Sequence, residues 1–153
     1  MKHNGPYYFE DFYVGQQFES EPHLTSEAEA LAFASRYDPQ PQHLDHAAAK
    51  ESLFGALVLS GWETASITMR QKLSGPLGNI ASGLVGIGVD KLRWHRAVVP
   101  SDILCARITI ISARISSSRP GKGVVQYKVE NFNQRDERVI SMLITVLMPR
   151  RDA

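Results

Sequence analysis

The period of the apolar residues changes near Gly83, and this change constrains the fold more than any other feature. Downstream stand four runs: LVGIGVDKLRWHRAV, DILCARITIISARIS, GVVQYKVENFN and RVISMLITVLMP. They are rich in β-branched and aromatic residues, the composition that suits a pleated, half-buried surface. Pro100-Ser101-Asp102, Arg119-Pro120-Gly121 and residues 133–136 break them apart. Ile108 and Ile110 alternate with Arg107 and Thr109, and Val125, Tyr127 and Val129 alternate with Gln126, Lys128 and Glu130. Such alternation predicts antiparallel strands with one face covered.

Upstream the chain reads differently. Residues 1–20 form an aromatic, glycine-punctuated arm, which predicts a short strand over 17–23. Ser26 and Glu29 have capping-box spacing, and the helix they open must stop before Pro39. Pro39 and Pro41 predict that residues 38–43 stay out of helical geometry. Asp45 caps a short helix over 47–52, closed by Gly55. Residues 62–73 are apolar or small around most of the circumference, which predicts a buried helix. Strand, helices, then an antiparallel meander imply one α+β domain over residues 1–153, with the sheet around a long central helix.

Composition excludes several classes of function. Lys and Arg number 17 against 16 Asp and Glu, so nothing favours general nucleic-acid binding. Cys105 is the single cysteine. It rules out an intrachain disulfide and a cysteine-based zinc site, and a packing role is expected of it. The spacing of His23, His43 and His46 matches no known metal site, so no metal is expected. The chain has neither a long apolar run nor a signal-peptide pattern, so a cytoplasmic protein without a membrane partner is expected.

Two stretches carry chemistry. In Tyr37-Asp38-Pro39-Gln40-Pro41-Gln42-His43 an acid and an imidazole share one proline-stiffened turn. Such a pair can grip one water, take a proton from it and return a proton elsewhere, with Gln40 orienting the loop. The same residues would also make an ordinary surface turn. In Leu59-Ser60-Gly61-Trp62 a helix start offers unpaired N–H groups, and Gly61 admits a ligand close to the backbone. That suits an oxyanion, and equally a plain serine-capped helix.

Asp38-x-Gln40-Pro41-x-His43, with FEDFYVGQQF, FGALVLSGW, DKLRWHRAVVPSD and SSSRPGKG around it, resembles the MaoC-like dehydratases and R-specific enoyl-CoA hydratases along nearly the whole length. Family members usually carry Asn at the Gln40 position, and many carry His-Gly where Ser60-Gly61 stand. The resemblance implies a hotdog fold, a homodimer or larger assembly, and a trans-2-enoyl thioester of CoA or acyl carrier protein as substrate. Hydration would give an (R)-3-hydroxyacyl thioester, and the reverse reaction is a dehydration. Asp38 and His43 would bind the water, and the Gly61 N–H would stabilise the thioester oxygen. Gln40, Ser60 and Trp62 would contact substrate, and no cofactor would be needed. Among the basic residues Arg119 is the candidate to pair with a CoA phosphate, because Pro120 restrains its turn. Two alternatives stay open: a hotdog thioesterase using Glu63, and an acyl-CoA-binding module without turnover.

Overall fold

The computed structural model describes residues 4–153. Residues 1–3, the start of the expected arm, lie outside the described residues. The four expected strands form: β3 (Val85–Trp94), β4 (Ile103–Ile115), β5 (Lys122–Phe132) and β6 (Arg138–Pro149), although β3 has neither face covered. The strand expected over 17–23 forms as two short pieces, β1 (Gln17–Glu19) and β2 (His23–Leu24), each antiparallel to β4. The sheet order is β1-β4-β5-β6-β3. One face of β4, β5 and β6 carries the core, with Ile108, Ile110, Val125, Tyr127, Val129, Ile144 and Val146 buried. The N-terminal arm packs its aromatic rings over the far end of this sheet. Gly123 makes that possible, because a Cβ there would stand 1.9 Å from the Phe9 ring.

The helical half lies between β2 and β3. Ser26 caps α1 (Glu27–Tyr37), its hydroxyl accepting from the Glu29 N–H at 3.2 Å. Residues 38–43 depart from expectation, because Pro41–Leu44 form a short helix, α2. Pro41 stands at its first position, where a missing N–H costs nothing and the fixed φ suits a helix. Asp45 caps α3 (His46–Lys50) through the Ala48 N–H at 2.8 Å. These three helices bury little besides Ala30, Ala34, His43 and Ala49.

The helix α4 (Gly61–Lys72) is the longest and packs on β4 and β5. Its expected all-round burial is overturned. Glu63, Thr64, Thr68, Gln71 and Lys72 are buried, while Trp62 and Met69 are exposed. The sheet-facing stripe of α4 is therefore polar, and hydrogen bonds to the sheet compensate it. The Asn131 amide donates to Thr68 Oγ1 (2.9 Å) and Gln71 Oε1 (2.7 Å), and Gln71 donates to the Leu104 carbonyl (2.8 Å). Lys72 Nζ donates to the Tyr127 hydroxyl at 2.6 Å.

The strand β3 is an edge. Its Val85, Ile87 and Val89 are 60%, 54% and 51% exposed. Register shifts fall between Gly86 and Gly88 and between Asp90 and Arg93, where Lys91 takes φ 51°.

Candidate active site

Asp38 follows directly on α1, and His43 lies in α2. Successive tight turns join them, the Gln40 N–H donating to the Asp38 carbonyl (2.8 Å) and the His43 N–H to the Gln40 carbonyl (3.0 Å). This brings Asp38 Oδ2 to 3.4 Å from His43 Nε2. The imidazole is buried, and its Nδ1 lies 2.8 Å from the Val58 carbonyl. A carbonyl only accepts, so Nδ1 carries a proton, and the ring turns its Nε2 toward Asp38. The Val58 segment is itself held from both sides. The Val58 N–H donates to the Gln42 carbonyl (3.2 Å) and the Leu59 N–H to the Val98 carbonyl (2.8 Å).

Both oxygens of Asp38 accept hydrogen bonds, Oδ2 from Ser60 Oγ and Oδ1 from Gln40 Nε2, each at 2.7 Å. The Ser60 bond first, then the Gln40 bond, hold its carboxyl below the usual carboxylate range, and proximity to His43 adds to this. Ser60 was expected to touch substrate. Instead it is buried, and its hydroxyl also accepts from the Trp62 N–H (3.2 Å). It ties the acid to the start of α4. Removing the Ser60 hydroxyl should raise the Asp38 pKa. The acid limb of the pH–rate profile of Ser60→Ala is therefore expected at higher pH than in the wild type, with the other limb unmoved.

Gly61 opens α4, and among the described residues its N–H has no hydrogen-bond partner. Trp94, from the end of β3, lies against it. The indole N–H donates to the Gly61 carbonyl at 2.8 Å, and a Cβ on Gly61 would stand 2.7 Å from that nitrogen. Trp62 packs edge-on to Trp94, with ring centroids 5.1 Å apart. Asp38, Gln40, His43, Gly61, Trp62 and Trp94 face one cleft of about 430 Å³. Phe54, Val58, Leu59, Thr64 and Val98 complete its apolar and inner walls. At the mouth Arg96 pairs with Glu137 at 2.7 Å.

Of the residues singled out in the sequence, Asp38, His43, Gly61, Gln40 and Trp62 thus meet in the cleft. Arg119 does not. It sits in the β4–β5 turn, beyond Lys122, which pairs with Pro149, whereas Trp94 pairs with Ile140. The two ends of β6 are about 30 Å apart at strand rise. Trp94 was missed as a site residue. Its only sequence signal was a large apolar ring between two arginines in DKLRWHRAV. Among the described residues no cluster of His, Cys, Asp or Glu can hold a metal, and no helix is long and apolar enough to cross a membrane.

Residues 11–133 match the family model described as a MaoC like domain. The chain belongs to the MaoC-like family. The crystal structure of a MaoC-like dehydratase from Rhodospirillum rubrum is similar, with 39% identity and a TM-score of 0.89, over 96% of this chain and 99% of that one. Mesaconyl-CoA hydratase of Cereibacter sphaeroides is 25% identical over 99% of this MaoC-like chain, which spans 44% of its length. A conserved hypothetical protein from Mycobacterium tuberculosis, described as a double hotdog fold, shares the architecture at a TM-score of 0.81 and 19% identity. That match covers 97% of this chain and 45% of the other. The fold is accordingly an α+β hotdog, and membership of the MaoC-like family supports a hydratase or dehydratase.

Glu63 has a different setting. It is 6% exposed, its Oε2 has no hydrogen-bond partner among the described residues, and it does not line the cleft. Burial, then the nearby charge of Glu29, push its pKa up to about 7. The folded chain therefore holds a proton that the unfolded chain releases between the ordinary value of 4.5 and about 7. Stability falls as pH rises through that window. Glu63→Gln is expected to be more stable than the wild type at pH 8, by up to about 3 kcal/mol, and no more stable near pH 4. Urea midpoints at the two pH values measure the difference.

Proposed function

We propose that the protein adds water to a trans-2-enoyl thioester, giving an (R)-3-hydroxyacyl thioester, and catalyses the reverse dehydration. The observation that carries this reading is the pairing of Asp38 and His43 at 3.4 Å, inside a cleft that also contains the unpaired Gly61 N–H. One water can hydrogen-bond to both side chains at that separation. Asp38 stays a carboxylate because Ser60 and Gln40 bond to it. His43 takes the water's proton on Nε2 as the oxygen attacks C3, and Asp38 stabilises the imidazolium. The π electrons of the C2–C3 bond form a C1–C2 double bond as the carbonyl π pair moves onto the thioester oxygen, where the Gly61 N–H and the positive end of α4 meet the charge. His43 then returns the proton to C2, so H and OH have been added and the enzyme is restored.

The acyl carrier is CoA or acyl carrier protein. The working unit is a homodimer in which the two β3 edges pair, covering Val85, Ile87 and Val89. A thioesterase is less well supported, because its expected base, Glu63, does not line the cleft. One assay on crotonyl-CoA tests the reading by following enoyl absorbance and free thiol together. Loss of absorbance without thiol is expected. Thiol release would favour a thioesterase, and binding without either signal an acyl-CoA-binding module.

A further inference from the structure

We infer that the buried polar stripe of α4 closes the acyl end of the cleft and restricts the substrate to short acyl groups. The inference rests on the hydratase reading above. Thr64 is the deepest residue that α4 contributes to the cleft, and it is buried. An acyl tail that runs on between α4 and the sheet must pass Thr64 and meet Thr68, about 6 Å further along the helix, and then Lys72, about 12 Å along.

The helix side of that passage is polar and already hydrogen-bonded. Thr68 Oγ1 donates to the Thr64 carbonyl (2.7 Å) and accepts from Asn131 Nδ2 (2.9 Å). Asn131 is fully buried, also holds Gln71, and leaves its own Oδ1 without a partner among the described residues. Beyond it Lys72 Nζ is bonded to Tyr127. Burial lowers the Lys72 pKa to about 8, which leaves the ammonium largely charged at neutral pH. A methylene chain offers these groups no hydrogen bond, and making room for it would break bonds they already have. Each buried polar group stripped of its partner is costly, and a charged one more so. Crotonyl-sized groups end before this plug and do not meet it. In a long-chain enzyme the same seam would be lined with aliphatic side chains.

The test is a chain-length series of crotonyl-, hexenoyl-, octenoyl- and decenoyl-CoA, followed by loss of enoyl absorbance with the full-length protein. Wild-type kcat/KM on octenoyl-CoA is expected at least about tenfold below that on crotonyl-CoA, the equivalent of one lost buried hydrogen bond. It should fall again on decenoyl-CoA. Thr68→Ala combined with Asn131→Ala removes the first barrier, and should raise the octenoyl-to-crotonyl ratio at least about tenfold. A wild-type profile that is flat from crotonyl to octenoyl overturns the inference, and so does a folded double variant with an unchanged ratio. If the double variant does not fold, the wild-type profile decides alone. Absence of hydration across the whole series overturns the hydratase reading itself, whereas a flat profile leaves that reading standing.

Discussion

Asp38→Asn and His43→Gln are each expected to cut hydration of crotonyl-CoA by about 10²–10⁴-fold, the range for lost acid–base catalysis. Asp38 Oδ2 and His43 Nε2 stand 3.4 Å apart, close enough to share one water, so in the proposed mechanism they act as a unit. The double variant should be little worse than either single variant, because removing one partner already idles the other. The two single losses should differ in kind. Asp38→Asn keeps an oxygen that can accept from Ser60 but forfeits the charge that stabilises the imidazolium. His43→Gln removes the ring that moves the proton. Glu63→Gln, measured beside them, should hydrate within several-fold of the wild type. Full hydration by both Asp38→Asn and His43→Gln, in protein of unchanged melting behaviour, would remove the catalytic assignment.

The second large effect is expected at Gly61, where two roles must be separated. A Cβ there would stand 2.7–2.8 Å from Nε1 and Cε2 of Trp94, so Gly61→Ala displaces the indole but keeps the N–H. Gly61→Pro displaces the indole and also deletes the N–H, at a first helical turn position that tolerates proline. If that N–H meets the thioester oxygen, Gly61→Pro should turn over about 10²–10³-fold more slowly than Gly61→Ala. Both variants should show altered tryptophan emission, because both disturb Trp94. Equal rates would place the oxyanion donor elsewhere.

These two positions illustrate what a sequence can display. Asp38 and His43 are five residues apart in a segment stiffened by prolines, so their encounter is a local matter and could be read directly. The strands after Gly83 were legible for the same reason, since alternation along one strand reports a covered face wherever its partners come from. The caps at Ser26 and Asp45 are local as well. Trp94 against Gly61 is not local. It joins residues 33 apart in the chain, across a junction that exists only once β3 has taken its place beside β6. The exposure of α4 was misjudged for a related reason. Its composition suggested burial on all sides, but its orientation is decided by Asn131, Tyr127 and Leu104 on the sheet. These offer hydrogen bonds to Thr68, Lys72 and Gln71, and so draw the polar side inward. Pro41 opens a helix where a proline can also break one, because at the first helical position its own missing N–H has no intrahelical carbonyl to lose, and the sequence alone does not say where that first position falls. Arg119 was chosen because a proline follows it, and nothing in the sequence says at which end of a strand a turn will lie.

The segment from α1 to α3, which holds Asp38 and His43, buries little in its helices beyond Ala30, Ala34, Ala49 and His43 itself, while β4, β5 and β6 bury a continuous row of large side chains. The protein is therefore uneven in its resistance to opening. The segment from α1 to α3 has few apolar contacts to lose and can detach as a small cooperative unit while the strands stay paired. Amide protons there are expected to exchange with solvent sooner than those of β4, β5 and β6, which hydrogen-exchange mass spectrometry measures. The fraction of molecules able to turn over substrate is set by the free energy of this local opening and not by that of the whole fold. A mutation can thus silence the enzyme while the sheet, and any measurement that watches only the sheet, remains as it was.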